Sequence, residues 1–226
     1  MTGFRSPAPG IKPSASGIGD PSPGRNVFET ARRESLMTLL IIGLALFLGI
    51  HSVSIVAPAW RDRTAERLGH GWRAIYSLIS IVGFVLIIKG YAAARAEGVY
   101  QHFWGPSPAL SVIASLLMLF VFPLFLAPYF PGRIKARIKH PMLAATKIWA
   151  FAHLLANGTM PDILLFGGFL VWAVGDILSM RYRTPRAIPA LPPKPVNDVI
   201  VIVGGLVIYA LFVFLHPALI GVAVRP

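Results

Sequence analysis

Six stretches of apolar residues, each near the length needed to cross a bilayer, leave this chain little room for any other kind of fold. A helix needs about 20 predominantly apolar residues to span the hydrocarbon layer. The stretches run roughly over Leu36–Pro58, Trp72–Ala94, Leu110–Tyr129, Pro141–Ala156, Ile163–Met180 and Val199–Leu219. The fourth is the shortest and most polar, with Thr146, Lys147 and His153. Ends are marked by Pro58, by Pro106-Ser107-Pro108, by Pro128 and by Asn157-Gly158. Proline cannot continue a helix, and Gly or Asn accommodates the left-handed cap. The expected fold class is all-α, a polytopic integral membrane helix bundle of about six transmembrane helices.

Composition excludes the alternatives. Only 13% of the 226 residues are charged, 55% are hydrophobic, and the mean hydropathy is +0.68. The charged share is about half that of a soluble domain. One soluble core of this size could not hide so much apolar surface. A soluble enzyme, a disordered chain and a fibrous repeat are therefore set aside. The chain has no cysteine. That excludes disulfides, thiolate zinc sites, iron–sulfur clusters and a Cys nucleophile, so a metal or cofactor would fall to His, Met, Tyr or carboxylates.

The net charge is +12, from 21 Lys/Arg against 9 Asp/Glu. In a soluble protein this would suggest nucleic acid. Here the cations lie between apolar segments, so the expected partner is the anionic inner leaflet and no nucleic acid. Loop 1–2 holds Arg61, Arg63, Arg67 and Arg73. Loop 3–4 holds Arg133, Lys135, Arg137 and Lys139, and loop 5–6 holds Arg181, Arg183, Arg186 and Lys194. Loop 2–3 has only Arg95, loop 4–5 has none, and the C-terminal end has only Arg225. Positive charge stays inside, which places loops 1–2, 3–4 and 5–6 in the cytoplasm and both termini outside. The stretch "GRIKARIKH" (132–140) alternates Ile with cations and reads as a short interfacial helix.

Residues 1–36 read as a disordered tail, Pro/Gly/Ser-rich over its first 27 residues. Its Arg5, Lys12, Arg25, Arg32 and Arg33 conflict with an outside N-terminus. Two readings stand: a natural start at Met37, or a real tail outvoted by the other loops. Residues 37–220 form the expected transmembrane domain, and 221–226 a short tail.

A histidine inside a membrane helix is expensive unless it is buried and partnered. His51 lies in "FLGIHSVSI" and His153 in "WAFAHLLANG". At a rise of about 1.5 Å per residue, His51 sits about 10 Å and His153 about 19 Å above the inner surface. Both are then within a layer about 30 Å thick. The offset is small enough for both to ligate one iron of a tilted macrocycle. Two independent histidines bonded to neighbouring helices would fit the spacing equally.

The strings "MTLLIIGLALFLGIHS", "APAWR", "GWRAIYSLISIVGFVLIIKGY" and "KHPMLAATKIWAFAHLLANGTMPDILLFGGFLVWAVGD" resemble the NnrU family of bacterial membrane proteins over about residues 37–220. "KHP", "AHLLANG" and "LFGGF" are the most specific part. The pattern is similar to that of 15-cis-zeta-carotene isomerase of plants and cyanobacteria, a haem b protein with membrane histidine ligands. The resemblance implies haem b held by His51 and His153. It also implies a bacterial inner membrane and an accessory role in denitrification, supporting nitrite and nitric oxide reductases or their assembly factors. Its other implication is an enzyme, a haem-dependent cis-trans isomerase or redox enzyme. His140, next to Pro141 in "KHP", reads as a helix-entry residue, and the family pattern adds it as a secondary ligand candidate.

Lys147 and Asp176 are the other costly intramembrane residues. They lie on antiparallel neighbours, where an ion pair between them would lower both insertion costs. Gly167-Gly168 and Gly204-Gly205 would allow a close approach of a neighbouring helix or a flat cofactor.

Overall fold

The computed structural model describes residues 23–97, 100, 102–105, 107–183, 186–221 and 224. Among them the chain is helical, with one isolated bridge between His102 and Thr159 and no strand. The chain forms a helical membrane bundle. Five helical stretches are long and apolar enough to cross a membrane: Met37–Val56, His70–Ala96, Pro108–Leu126, Met160–Ser179 and Asn197–Ile220. The sixth, Pro141–Ala156, is apolar but shorter.

Helix α1 (Pro23–Val56) starts well before the first apolar stretch. Residues 23–36, expected as part of a disordered tail, are therefore helical. Pro23 suits a first helical turn, and after Gly24 no Pro or Gly interrupts the run to Leu36. Residues 1–22 of that expected tail lie outside the described residues, as do 222, 223, 225 and 226 of the C-terminal tail.

Pro58 ends α1, because it offers no N–H to the preceding turn. It opens α2 (Pro58–Leu68), a polar helix with no buried residue. Gly69, at φ +52°, turns the chain into α3 (His70–Glu97). The third span is broken into α4 (Pro108–Met118) and α5 (Val121–Leu126), with Pro123 inside the second piece. The basic segment forms α6 (Arg133–Arg137). Asp198 holds it by accepting the backbone N–H of Arg133 at 2.9 Å and of Ile134 at 3.0 Å. Then follow α7 (Pro141–Ala156), the single turn α8 (Met160–Asp162), a π-helical turn Ile163–Gly167, α9 (Gly168–Ser179) and α10 (Asn197–Ile220).

The helices pack as a row. α3 lies along α1, α1 meets α9, α9 meets α7, α7 meets α4 and α5, and α5 meets α10. Leu40 and Leu44 of α1, Ile87 and Tyr91 of α3, Ala150 of α7 and Leu165 and Phe166 of the π-helical turn form the main core. A second core joins Val121 and Leu124 of α5 to Ala145 of α7. The outer faces are apolar too, with Leu78 at 64%, Val171 at 74% and Val207 at 63% exposure, as lipid-facing surface requires.

The tightest backbone approach is between α1 and α3. A Cβ on Gly83 would stand 2.7 Å from the Phe47 nitrogen, and one on Gly43 would stand 2.6 Å from the Ile87 nitrogen. Small residues at such a crossing let two membrane helices touch through their backbones. Gly167-Gly168 does not behave as expected: Cβ atoms there would meet side chains at ordinary contact, 3.9 and 3.7 Å. Of the second pair, Gly205 packs closely on Pro123.

Candidate functional site: two histidines in an aromatic interior

His51 and His153 are anchored alike. The His51 Nδ1 is 2.6 Å from the carbonyl of Phe47, and the His153 Nδ1 is 2.8 Å from the carbonyl of Trp149. A carbonyl can only accept, so Nδ1 carries the proton in each ring. A neutral imidazole then keeps its lone pair on Nε2, the atom a metal would take.

Aromatic rings surround both. His51 stacks on Phe47 at 4.3 Å between centroids and meets the edges of Tyr76 at 5.1 Å and Trp172 at 6.0 Å. His153 stacks on Phe166 at 4.5 Å and tilts against Trp149 at 5.3 Å. Phe169 lies between the two groups, 5.6 Å from Phe47 and 5.3 Å from Trp149. Phe166 belongs to the π-helical turn, a feature found often at functional sites.

The two imidazoles share no direct ring contact. Their backbones differ in level: His51 is level with Trp172 and His153 with Phe166, six residues and about 9 Å apart along α9. Side chains on a helix lean toward its N-terminus. α1 and α7 run in opposite directions, so the leans converge. Each ring reaches toward its own i−4 residue, and those residues, Phe47 and Trp149, both touch Phe169.

His140 is elsewhere. It caps the start of α7 and makes no side-chain cap bond. Burial, then Lys135 and Lys139, pulls its pKa below the ordinary histidine value. No hydrogen bond or ring contact joins it to the aromatic interior among the described residues.

The expected ion pair between Lys147 and Asp176 does not form. Asp176 is paired with Arg183 seven residues on, and accepts from Ser179 as well. Lys147 has no ion pair among the described residues. The reason is local: α9 ends at Ser179, and the chain then turns so that Arg183 folds back over the last helical turn.

Sequence reasoning passed over Asp162, a completely buried acid. It accepts the Tyr91 hydroxyl at 2.7 Å, the Thr159 backbone N–H at 2.8 Å, the Thr159 hydroxyl at 2.5 Å and Arg95 at 3.3 Å. The spacing Thr159-x-x-Asp162, a capping-box pattern, was the available signal.

Among the described residues, no three His, Cys, Asp or Glu side chains cluster to hold a metal ion by themselves. An iron here would be a macrocycle's, with imidazoles as axial ligands. Fold and site thus define a polytopic helical membrane protein with two anchored histidines in an aromatic interior. Residues 39–224 match the family described as NnrU protein, and the chain belongs to that family. No curated protein and no solved structure matches it.

Proposed function

We propose that this protein binds haem b through His51 and His153 and serves denitrification, supporting the production of active nitrite and nitric oxide reductase. The observation behind the proposal is the shared anchoring: two intramembrane imidazoles, each with Nδ1–H given to a carbonyl and Nε2 left unused. Ligating histidines are typically oriented by such a second bond. The surroundings suit the group, because Phe47, Phe166, Phe169 and Trp149 offer apolar faces to a flat macrocycle and keep water away. Haem b held by two imidazoles supplies a one-electron carrier. The chain's own part is to hold the two rings, fix their tautomers and exclude water.

The proposed setting is a bacterial inner membrane, with α2, α6 and the segment between α9 and α10 in the cytoplasm. That follows from the Lys and Arg residues of those loops. A reporter fused after Pro226 then works outside the membrane and fails in the cytoplasm.

Two measurements test the function. The purified full-length protein yields haem b in a pyridine haemochrome assay. A denitrifying host lacking the gene loses nitric oxide reductase activity, and the wild-type gene restores it. A protein purified without haem contradicts the cofactor. Recovery of pigment synthesis in a host blocked at a polyene isomerisation, without effect on denitrification, would replace the accessory role with the isomerase reading.

A further inference from the structure

Two buried indole N–H groups have no hydrogen-bond partner: Nε1 of Trp72 and Nε1 of Trp172. Buried donors are normally satisfied, and an orphan costs free energy unless something outside the chain accepts from it. Both belong to the surroundings of His51. Trp172 meets the His51 ring, while Trp72 meets Tyr76, which itself meets His51. Trp72 lies one helical turn before Tyr76 on α3, about 6 Å nearer the start of that helix. It also lies beneath the guanidinium of Arg61, 5.9 Å from its ring centre.

Cations at this end outnumber their acids. Asp62 serves two guanidiniums, Arg61 at 3.0 Å and Arg186 at 2.7 Å. Arg183 already has Asp176. A cleft of about 680 Å³ opens here, lined by Arg61, Arg186 and Tyr182 together with the acids Asp62 and Glu66. Unpaired donors beside a partly neutralised guanidinium are what a carboxylate needs, and a bond from a charged donor is about twice as strong as a neutral one.

We infer that Arg61, Trp72 and Trp172 form a carboxylate seat at the α2 end of the two-histidine interior, for the propionate edge of a dicarboxylic porphyrin. The inference rests on the haem reading above and adds an orientation, with the acid edge toward α2. It explains why two indoles and an arginine surround His51 while no such donors surround His153, whose ring neighbours are Phe166 and Trp149.

The test uses the full-length protein, made without haem and purified in detergent. It is titrated with haem b and with haem b dimethyl ester, whose acid groups are blocked, and the Soret band is read. The wild type binds the free acid about tenfold more tightly than the diester, the factor expected from one charge-assisted hydrogen bond. Arg61→Gln, and separately the double variant Trp72→Phe/Trp172→Phe, bring the two affinities together while leaving diester binding as in the wild type. Unchanged diester binding also shows that a variant is folded. If the Trp variant binds neither form, Arg61→Gln alone decides. Equal affinity of the wild type for acid and diester overturns the seat and leaves haem binding intact. Failure to bind either form overturns both.

Discussion

Tyr91 donates its hydroxyl to Asp162 at 2.7 Å, tying α3 to the turn between α7 and the π-helical segment. The same Tyr91 ring packs edge-on against Phe166, 5.9 Å away, and Phe166 stacks on His153. The buried carboxylate thus fixes a wall of the histidine site through one intervening side chain.

Asp162→Asn weakens the ion pair with Arg95 and disturbs acceptance from Tyr91 and Thr159. Stability falls by about 1–3 kcal/mol, the cost of leaving buried partners poorly satisfied. Tyr91→Phe removes one bond to a charged group and costs no more than that. Thermal unfolding in detergent, ranking wild type above Tyr91→Phe and Tyr91→Phe at or above Asp162→Asn, checks this order.

The pairing of Asp176 with Arg183 predicts a different pattern from a pairing with Lys147. Asp176→Leu alone, or Arg183→Leu alone, leaves a bare charge that is nearly buried, at a cost of about 3–5 kcal/mol. The double variant loses less than the two singles summed. Lys147→Met leaves accumulation in the membrane unchanged, because no partner is stranded. Quantifying inserted protein for the four variants separates the two pairings.

Gly83→Ala forces α3 away from α1, since its Cβ would stand 2.7 Å from the Phe47 nitrogen, which is backbone and cannot rotate aside. Overpacking of this kind costs about 1–3 kcal/mol. Phe47 moves with its backbone, and His51 is stacked on Phe47. Gly83→Ala is therefore expected to lower haem content as well as thermal stability. Gly49→Ala, with nothing within 4 Å of its Cβ, changes neither.

The apolar segments were legible because a bilayer imposes a length and a composition that sequence shows directly. The basic loops and the short helix Arg133–Arg137 were legible for a related reason, since cations collect at one membrane surface. The depth offset of His51 and His153 followed from helical rise alone. Partner choice was not legible. Lys147 and Asp176 sit on neighbouring helices, yet Arg183 wins because a chain reversal after Ser179 brings it back within reach. Reversals of this kind depend on a few loop dihedrals that carry no periodic signal. Asp162 was hidden for a similar reason: its partners Tyr91 and Arg95 lie about 70 positions earlier, on a helix whose rotation only packing decides. Likewise, Gly167-Gly168 looked like a contact point from spacing, whereas the crossing of α1 and α3 falls on Gly43 and Gly83.

The central claim is that two imidazoles on different helices hold one haem b. The most direct measurement is the visible spectrum of dithionite-reduced protein in detergent, for the wild type and for His51→Ala, His153→Ala and His140→Ala. The account predicts sharp α and β bands of low-spin haem in the wild type and in His140→Ala, and their loss in both of the others, each shown to be inserted in the membrane. Wild-type bands retained by inserted His51→Ala and His153→Ala would contradict it.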